Sequence, residues 1–140
     1  MSSDIQAAVY AVSRTLNGDA IWEDRIHFGY IPPSMNYPYV WIVFQGGGDQ
    51  QNDLKSDPLI TLAVTASTDN QTDAFEAQAR IAHMLDDRGL HDRFGGIAGL
   101  DGWTIRTISK SVAIYIEDPI DKAERIYRAG NQYIFDMEAT

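Results

Sequence analysis

The sequence predicts an α+β fold: a mainly antiparallel sheet of four to five strands with two helices packed on one face, in the order α-β-β-β-α-β-β. Apolar residues recur at helical spacing in two separate stretches, residues 3–17 and 72–88. Around them lie stretches rich in Val, Ile, Thr and aromatic residues that alternate or run continuously, as strands do. These strands are short and turn-linked, which favours antiparallel pairing.

Ser3 to Asn17 carries Ile5, Val9, Val12 and Leu16 at steps of three and four. Ser2 or Ser3 can cap it and Gly18 stops it. Arg25 to Ile31 reads as a strand with Ile26, Phe28 and Tyr30 on one face. Pro32-Pro33 ends it, because proline gives no donor to a ladder. Tyr39 to Gln45 is a strand that is apolar on both parities, Tyr39, Trp41 and Val43 against Val40, Ile42 and Phe44. Leu59 to Ser67 follows, with Ile60, Leu62, Val64 and Ala66 on one face and Thr61, Thr65 and Ser67 opposite.

The period then lengthens. Thr72 to Arg88 carries Ala74, Ala77, Ile81, Met84 and Leu85 as a stripe, with Phe75, Ala79 and Ala82 beside it. Asp69 or Thr72 can cap this helix, Asp73 and Glu76 suit its first turn, and Gly89 ends it. A connection, FGGIAGLDG, leads to a strand from Trp103 to Glu117. Trp103 and Ile105 differ in parity from Ile108 and Val112, which predicts a bulge or break near residues 106–110. The last strand runs from about Glu124 to Glu138, with Tyr133, Phe135 and Met137 on one face and Gly130 placed for a second bulge.

At 140 residues the chain is expected to form one domain, 1–140, with one core. Two helices cover one face of such a sheet and leave the other bare. The second apolar parity of residues 39–44 is therefore expected to be closed by sheet curvature, by the segment near 90–102, or by another subunit. Seven tyrosines and three tryptophans favour the subunit. The stretch 46–57, GGGDQQNDLKSD, is too long for a hairpin turn and too polar for a core, so it is expected to act as an arm that orders against a partner. Candidate interface residues are Tyr39, Trp41, Val43, Gly46, Gly47, Gly48, Asp49, Asp53, Leu54 and Asp57.

No apolar run approaches the roughly 18 residues that span a bilayer, and the N-terminal stretch lacks the features of a signal peptide. With no cysteine, disulfides and thiolate metal sites are excluded. Eleven basic against twenty acidic residues give a formal charge of −9, which argues against tight nucleic-acid binding, since that affinity comes from cations neutralising phosphates. A solubilising acidic surface is the commoner meaning of such a charge.

Catalytic patterns are sparse. The glycines at 95, 96, 99 and 102 follow a helix and precede a strand, whereas a phosphate cradle needs the reverse order; Gly46-Gly47-Gly48 also precedes no helix. His83, Asp87 and His91 could approach a divalent ion, but a glycine separates the last of them and a solvated helix face explains the pair. His27 alternates away from Ile26 and Phe28, toward solvent or a neighbour. Asp86-Asp87 and Glu117-Asp118 sit at element ends, where carboxylates are ordinarily solvated. No nucleophile elbow is present. Nothing nominates an enzyme, a metal or a cofactor.

The stretches AAVYAVSRTL, RIHFGYIPP, YPYVWIVF, ITLAVTAST, TDAFEAQARIAHMLDD, a tryptophan strand and RAGNQYIFDMEA follow one another in an order that resembles the tail-completion, or tail-terminator, proteins of long-tailed bacteriophages and gene-transfer particles. The resemblance spans essentially the whole chain and rests on architecture rather than on one diagnostic motif. It implies a non-enzymatic virion protein, assembled in the host cytoplasm, that forms a hexameric ring. Such a ring caps the tail tube protein, meets the head-neck connector or stopper protein, and lets DNA pass without specific binding. No membrane and no catalytic residues are implied. The competing expectation is a small cytoplasmic α+β oligomer that binds a metabolite, possibly an enzyme, with its pocket between Trp41, Trp103 and the second helix.

Overall fold

The computed structural model describes residues 3–31, 36–47, 59–85, 102–119 and 125–139. Its elements are α1 (Ser3–Leu16), β1 (Ile26–Phe28), β2 (Tyr39–Gly47), β3 (Leu59–Thr68), α2 (Gln71–Met84), β4 (Trp103–Pro119) and β5 (Arg125–Ala139). This is the α-β-β-β-α-β-β order the sequence predicts.

The five strands form one mixed sheet in the order β1-β2-β3-β5-β4, so the last strand inserts between β3 and β4. The pairs β2·β3, β3·β5 and β4·β5 are antiparallel. The pair β1·β2 is parallel, Ile26 lying beside Val40 and Phe28 beside Ile42, so the sheet is mainly but not wholly antiparallel. The strand is also shorter than Arg25 to Ile31. Gly29 donates to the Ile42 carbonyl at 3.1 Å and then turns with a φ of 76°, leaving Tyr30 73% exposed and off the ladder.

Alternation along each strand sends one set of side chains to the helices. Val40 and Ile42, Ile60, Leu62 and Val64, Tyr133, Phe135 and Met137, and Ile108 form one buried cluster with Ile5, Val12 and Leu16 of α1 and Ile81 of α2. Each large apolar side chain buried this way contributes about 1.5–3 kcal/mol over exposure. Ala7, Ala8 and Ala11 let α1 lie close against the sheet. Trp22, in the turns after α1, joins the same core at 1% exposure; periodicity gave it no place.

The start of α2 is fixed by Asn70, not by Asp69 or Thr72. Asn70 has the extended cap geometry, φ −149° and ψ 157°. Its Oδ1 accepts from the Asp73 amide at 2.8 Å while its Nδ2 donates to the Asp73 carboxylate at 2.7 Å, a reciprocal cap. Gln78 ties α2 to β5, donating to the Gly130 carbonyl at 2.7 Å. Residues 86–88 and Gly89, part of the expected helix and its stop, lie outside the described residues.

The parity change in β4 is a register shift between Ile105 and Thr107, within the predicted region, and a second shift falls between Lys110 and Ala113. Gly130 is not a bulge. It pairs in register with Thr65 on one side and Ile114 on the other. Glycine is needed there for close approach: a Cβ would run into the Val64 carbonyl.

Candidate functional site

Among the described residues no helix covers the second face of the sheet, whose side chains follow from alternation in β2. Because Val40 and Ile42 point to the helices, Trp41 and Val43 point away from them, with Tyr39. The register sets Tyr39 beside Ser67, Trp41 beside Thr65 and Val43 beside Ala63. Across β3, Ser67 faces Arg128, Thr65 faces Gly130 and Ala63 faces Gln132. Each small residue of the middle strand thus has a longer neighbour on at least one side, Tyr39 and Arg128 for Ser67, Trp41 for Thr65 and Gln132 for Ala63, and all three are buried. This explains why β3 is buried on both faces.

Arg128 organises the centre of this face. Its Nε donates to Ser67 Oγ at 3.2 Å and its Nη2 to the Tyr39 hydroxyl at 3.4 Å. Its guanidinium carbon lies 5.2 Å from the Trp41 ring centroid, and it forms an ion pair with Asp118. Trp41 Nε1 donates to the Gly29 carbonyl at 3.0 Å, which fixes the indole against the start of the β1–β2 connection. Gln132 donates to Gln45 at 2.7 Å. Nothing in the sequence pattern singled out Arg128. The available signal is a lone cation on the parity of β5 opposite Tyr133 and Phe135.

These contacts revise the expected surplus. Tyr39 is 4% exposed, stacked on Tyr37 at 5.8 Å and edge-on to His27 at 6.4 Å, so it supports the face from within. His27 does lie on this side, but packed against Tyr39, and its Nε2 is buried with no hydrogen-bond partner among the described residues. Trp41 and Val43 are half-buried. Ile116, opposite Arg128, and Leu59, opposite Asp136, extend the apolar character outward as exposed side chains. On the helix side, exposed Phe75 stacks on Tyr115 at 4.9 Å.

Gly46 and Gly47 belong to β2 and not to the polar stretch. They pair with Thr61 and Ile60 after a register shift at Gln45. Gly47 has a φ of 93°, and a Cβ there would meet the Leu59 carbonyl. Gly48, Asp49, Asp53, Leu54 and Asp57 lie outside the described residues.

A second feature was not legible in the sequence. A cavity of about 370 Å³ opens beside the start of α2, between Ile21 and Trp22 after α1, Tyr37 and Pro38 before β2, and Thr68, Asp69, Asp73, Glu76, Ala77 and Arg80. Arg80 and Asp19 are ion-paired at its edge. The Arg80 hydrogen bond holds the Asp19 carboxyl below the usual carboxylate range, against the smaller opposing effect of burial, and the Ile21 amide adds to the lowering. The pocket expected between Trp41, Trp103 and α2 is not formed by this arrangement, because Trp41 lies on the far side of the sheet. Among the described residues no group of three or more His, Asp or Glu side chains is placed to hold a metal ion. His83 is exposed, and Asp87 and His91 lie outside the described residues. No described helix is long and apolar enough to cross a membrane.

No family model and no curated protein matches the sequence. Among solved structures, a chain described as "Virion of native gene transfer agent (GTA) particle" is similar in fold. The TM-score is 0.65 at 14% identity, over 99% of this chain and 100% of that one. At this identity the likeness is one of fold.

Proposed function

We propose that this protein is a non-enzymatic structural component of a virion, a ring-forming tail terminator that acts as one domain. The observation that carries the reading is the sheet face that no described helix covers, where Trp41 and Val43 stay half-buried while Ile116 and Leu59 are exposed. Such a face is suited to burial against a neighbouring copy. The end-to-end fold likeness to a chain of a gene transfer agent particle supports the virion setting.

In this reading each subunit offers two different surfaces, and copies join head to tail until the rotation closes, in a ring of six. One surface of the ring docks on the tail tube and the other on the neck, with residues 48–57 as a contacting arm. The net charge of −9 keeps the ring from holding the DNA that passes through it. The test is genetic. Particles assembled without this protein are expected to carry tubes of uncontrolled length and heads without joined tails, both rescued by the intact gene. Normal, infectious particles in its absence would contradict the reading.

A further inference from the structure

We propose that two copies of this chain pair antiparallel through the outer edge of β4, about a two-fold axis at Ile114. The inference goes beyond the ring, because it uses neither Trp41 nor Val43. A contact that is the same on both copies joins two free subunits, or two free rings, and then closes.

β4 ends the sheet, and among the described residues nothing pairs with its outer side. Such an edge is a template for another strand, and proteins blunt it with bulges and lysines. Here both register shifts, and Lys110, lie toward the Trp103 end. From Ala113 to Pro119 the ladder to β5 is unbroken. Every residue from Ser109 to Pro119 is exposed or half-buried. Three large apolar side chains nonetheless fall there, Val112 at 59% exposure, Tyr115 at 37% and Ile116 at 44%. Tyr115 stacks on Phe75, whereas packing within one subunit gives no account of Val112 and Ile116.

The edge complements itself, which marks the partner as a second copy. Lys110 stands near one end of the exposed stretch and Glu117 and Asp118 at the other, so an antiparallel copy brings unlike charges together twice. With Ile114 on the axis, Val112 faces Ile116 of the second copy, Ala113 faces its Tyr115 and Ser111 its Glu117. Lys110 and Glu117 lie on one side of β4, opposite Tyr133 and Tyr127 of β5, so Lys110 reaches the second copy's Glu117 along that side. Glu117 has only a distant cation of its own, Arg125 at 4.0 Å. No acid faces an acid in this register. Moving the axis to Tyr115 sets Val112 against Asp118, and a one-residue slip puts side chains on mismatched faces. The other sheet edge, β1, has three residues and is too short to be the complement.

The chain has no cysteine, so single introduced thiols report the register. Val112→Cys protein mixed with Ile116→Cys protein is expected to form a covalent dimer under mild oxidation, while either alone forms little. Sedimentation of the Trp41→Glu protein at micromolar concentration, without the proposed ring contact, is expected to show a dimer. Adding Val112→Lys weakens that dimer about tenfold at unchanged melting temperature. A folded but monomeric Trp41→Glu protein, no covalent dimer from the thiol mixture, or full pairing by the Val112→Lys variant would overturn the proposal, even where rings form. Dimers of the unmodified protein that never form rings would uphold the pairing and contradict the ring.

Discussion

Replacing Trp41 with glutamate separates folding from assembly. Within one subunit the change removes the Nε1 hydrogen bond to the Gly29 carbonyl, worth about 0.5–1.5 kcal/mol, and the stacking of Arg128, worth about 0.5–1 kcal/mol. Arg128 then lies near the new carboxylate, which offsets part of that loss. A net cost of about 1–2 kcal/mol leaves a domain of ordinary stability folded. Between subunits the same change removes an aromatic anchor, which costs roughly 2–4 kcal/mol. Even the lower figure weakens each junction about thirtyfold. Sedimentation velocity at micromolar concentration, with and without tail tube, is expected to show assembled unmodified protein and a dissociated Trp41→Glu variant. Circular dichroism should show both folded. Ile42→Ala is the contrasting control, since truncating this buried core residue costs about 2–5 kcal/mol of folding stability. An unmodified protein that is monomeric under all these conditions, or a variant that assembles normally, would refute the reasoning.

The other predictions use simpler assays. Gly130→Ala is expected to lower stability by about 2 kcal/mol or more in urea unfolding, because the new methyl meets the Val64 carbonyl; an unchanged midpoint would refute the close approach. Asp19→Asn is expected to lower the melting temperature near neutral pH but not in strong acid. The Asp19 carboxyl is depressed in the folded state, so its contribution is present above its unfolded pKa and fades as pH falls through its folded one; a difference independent of pH would contradict it. Duplex DNA is expected to remain unshifted in low-salt gels, given the charge of −9, and sub-micromolar binding would reopen a nucleic-acid role. Deleting Gln50 to Lys55 is expected to leave thermal stability nearly unchanged, since loop closure depends weakly on length, while giving unjoined heads and tails or overlong tubes. Normal particles would show that stretch to be filler.

Element types and order were legible because periodicity reports local geometry. Ile5 to Leu16 and Ala74 to Met84 could only share a helix stripe, and Ile60 to Ala66 only a strand face. Pairing partners were less legible. That β1 runs parallel to β2 was not readable, because three strand residues leave no pattern to read. The insertion of β5 between β3 and β4 is likewise a non-local choice. Asp69, Asn70 and Thr72 are all capping residues by type, and it is the hydrogen bond from the Asp73 amide to the Asn70 side chain that selects Asn70. The doubly apolar strand did point to a face that no described helix covers, but its organiser, Arg128, comes from β5 and reaches Tyr39 and Trp41 across β3. The cavity was hidden for the same reason, as its walls come from segments near residues 21, 37 and 69–80.

Electron microscopy of the purified protein, alone and mixed with its tail tubes, tests ring formation most directly. The account predicts closed rings of uniform size with a central opening, seated at one end of each tube. Particles that stay monomeric while the tubes remain bare at both ends would contradict it.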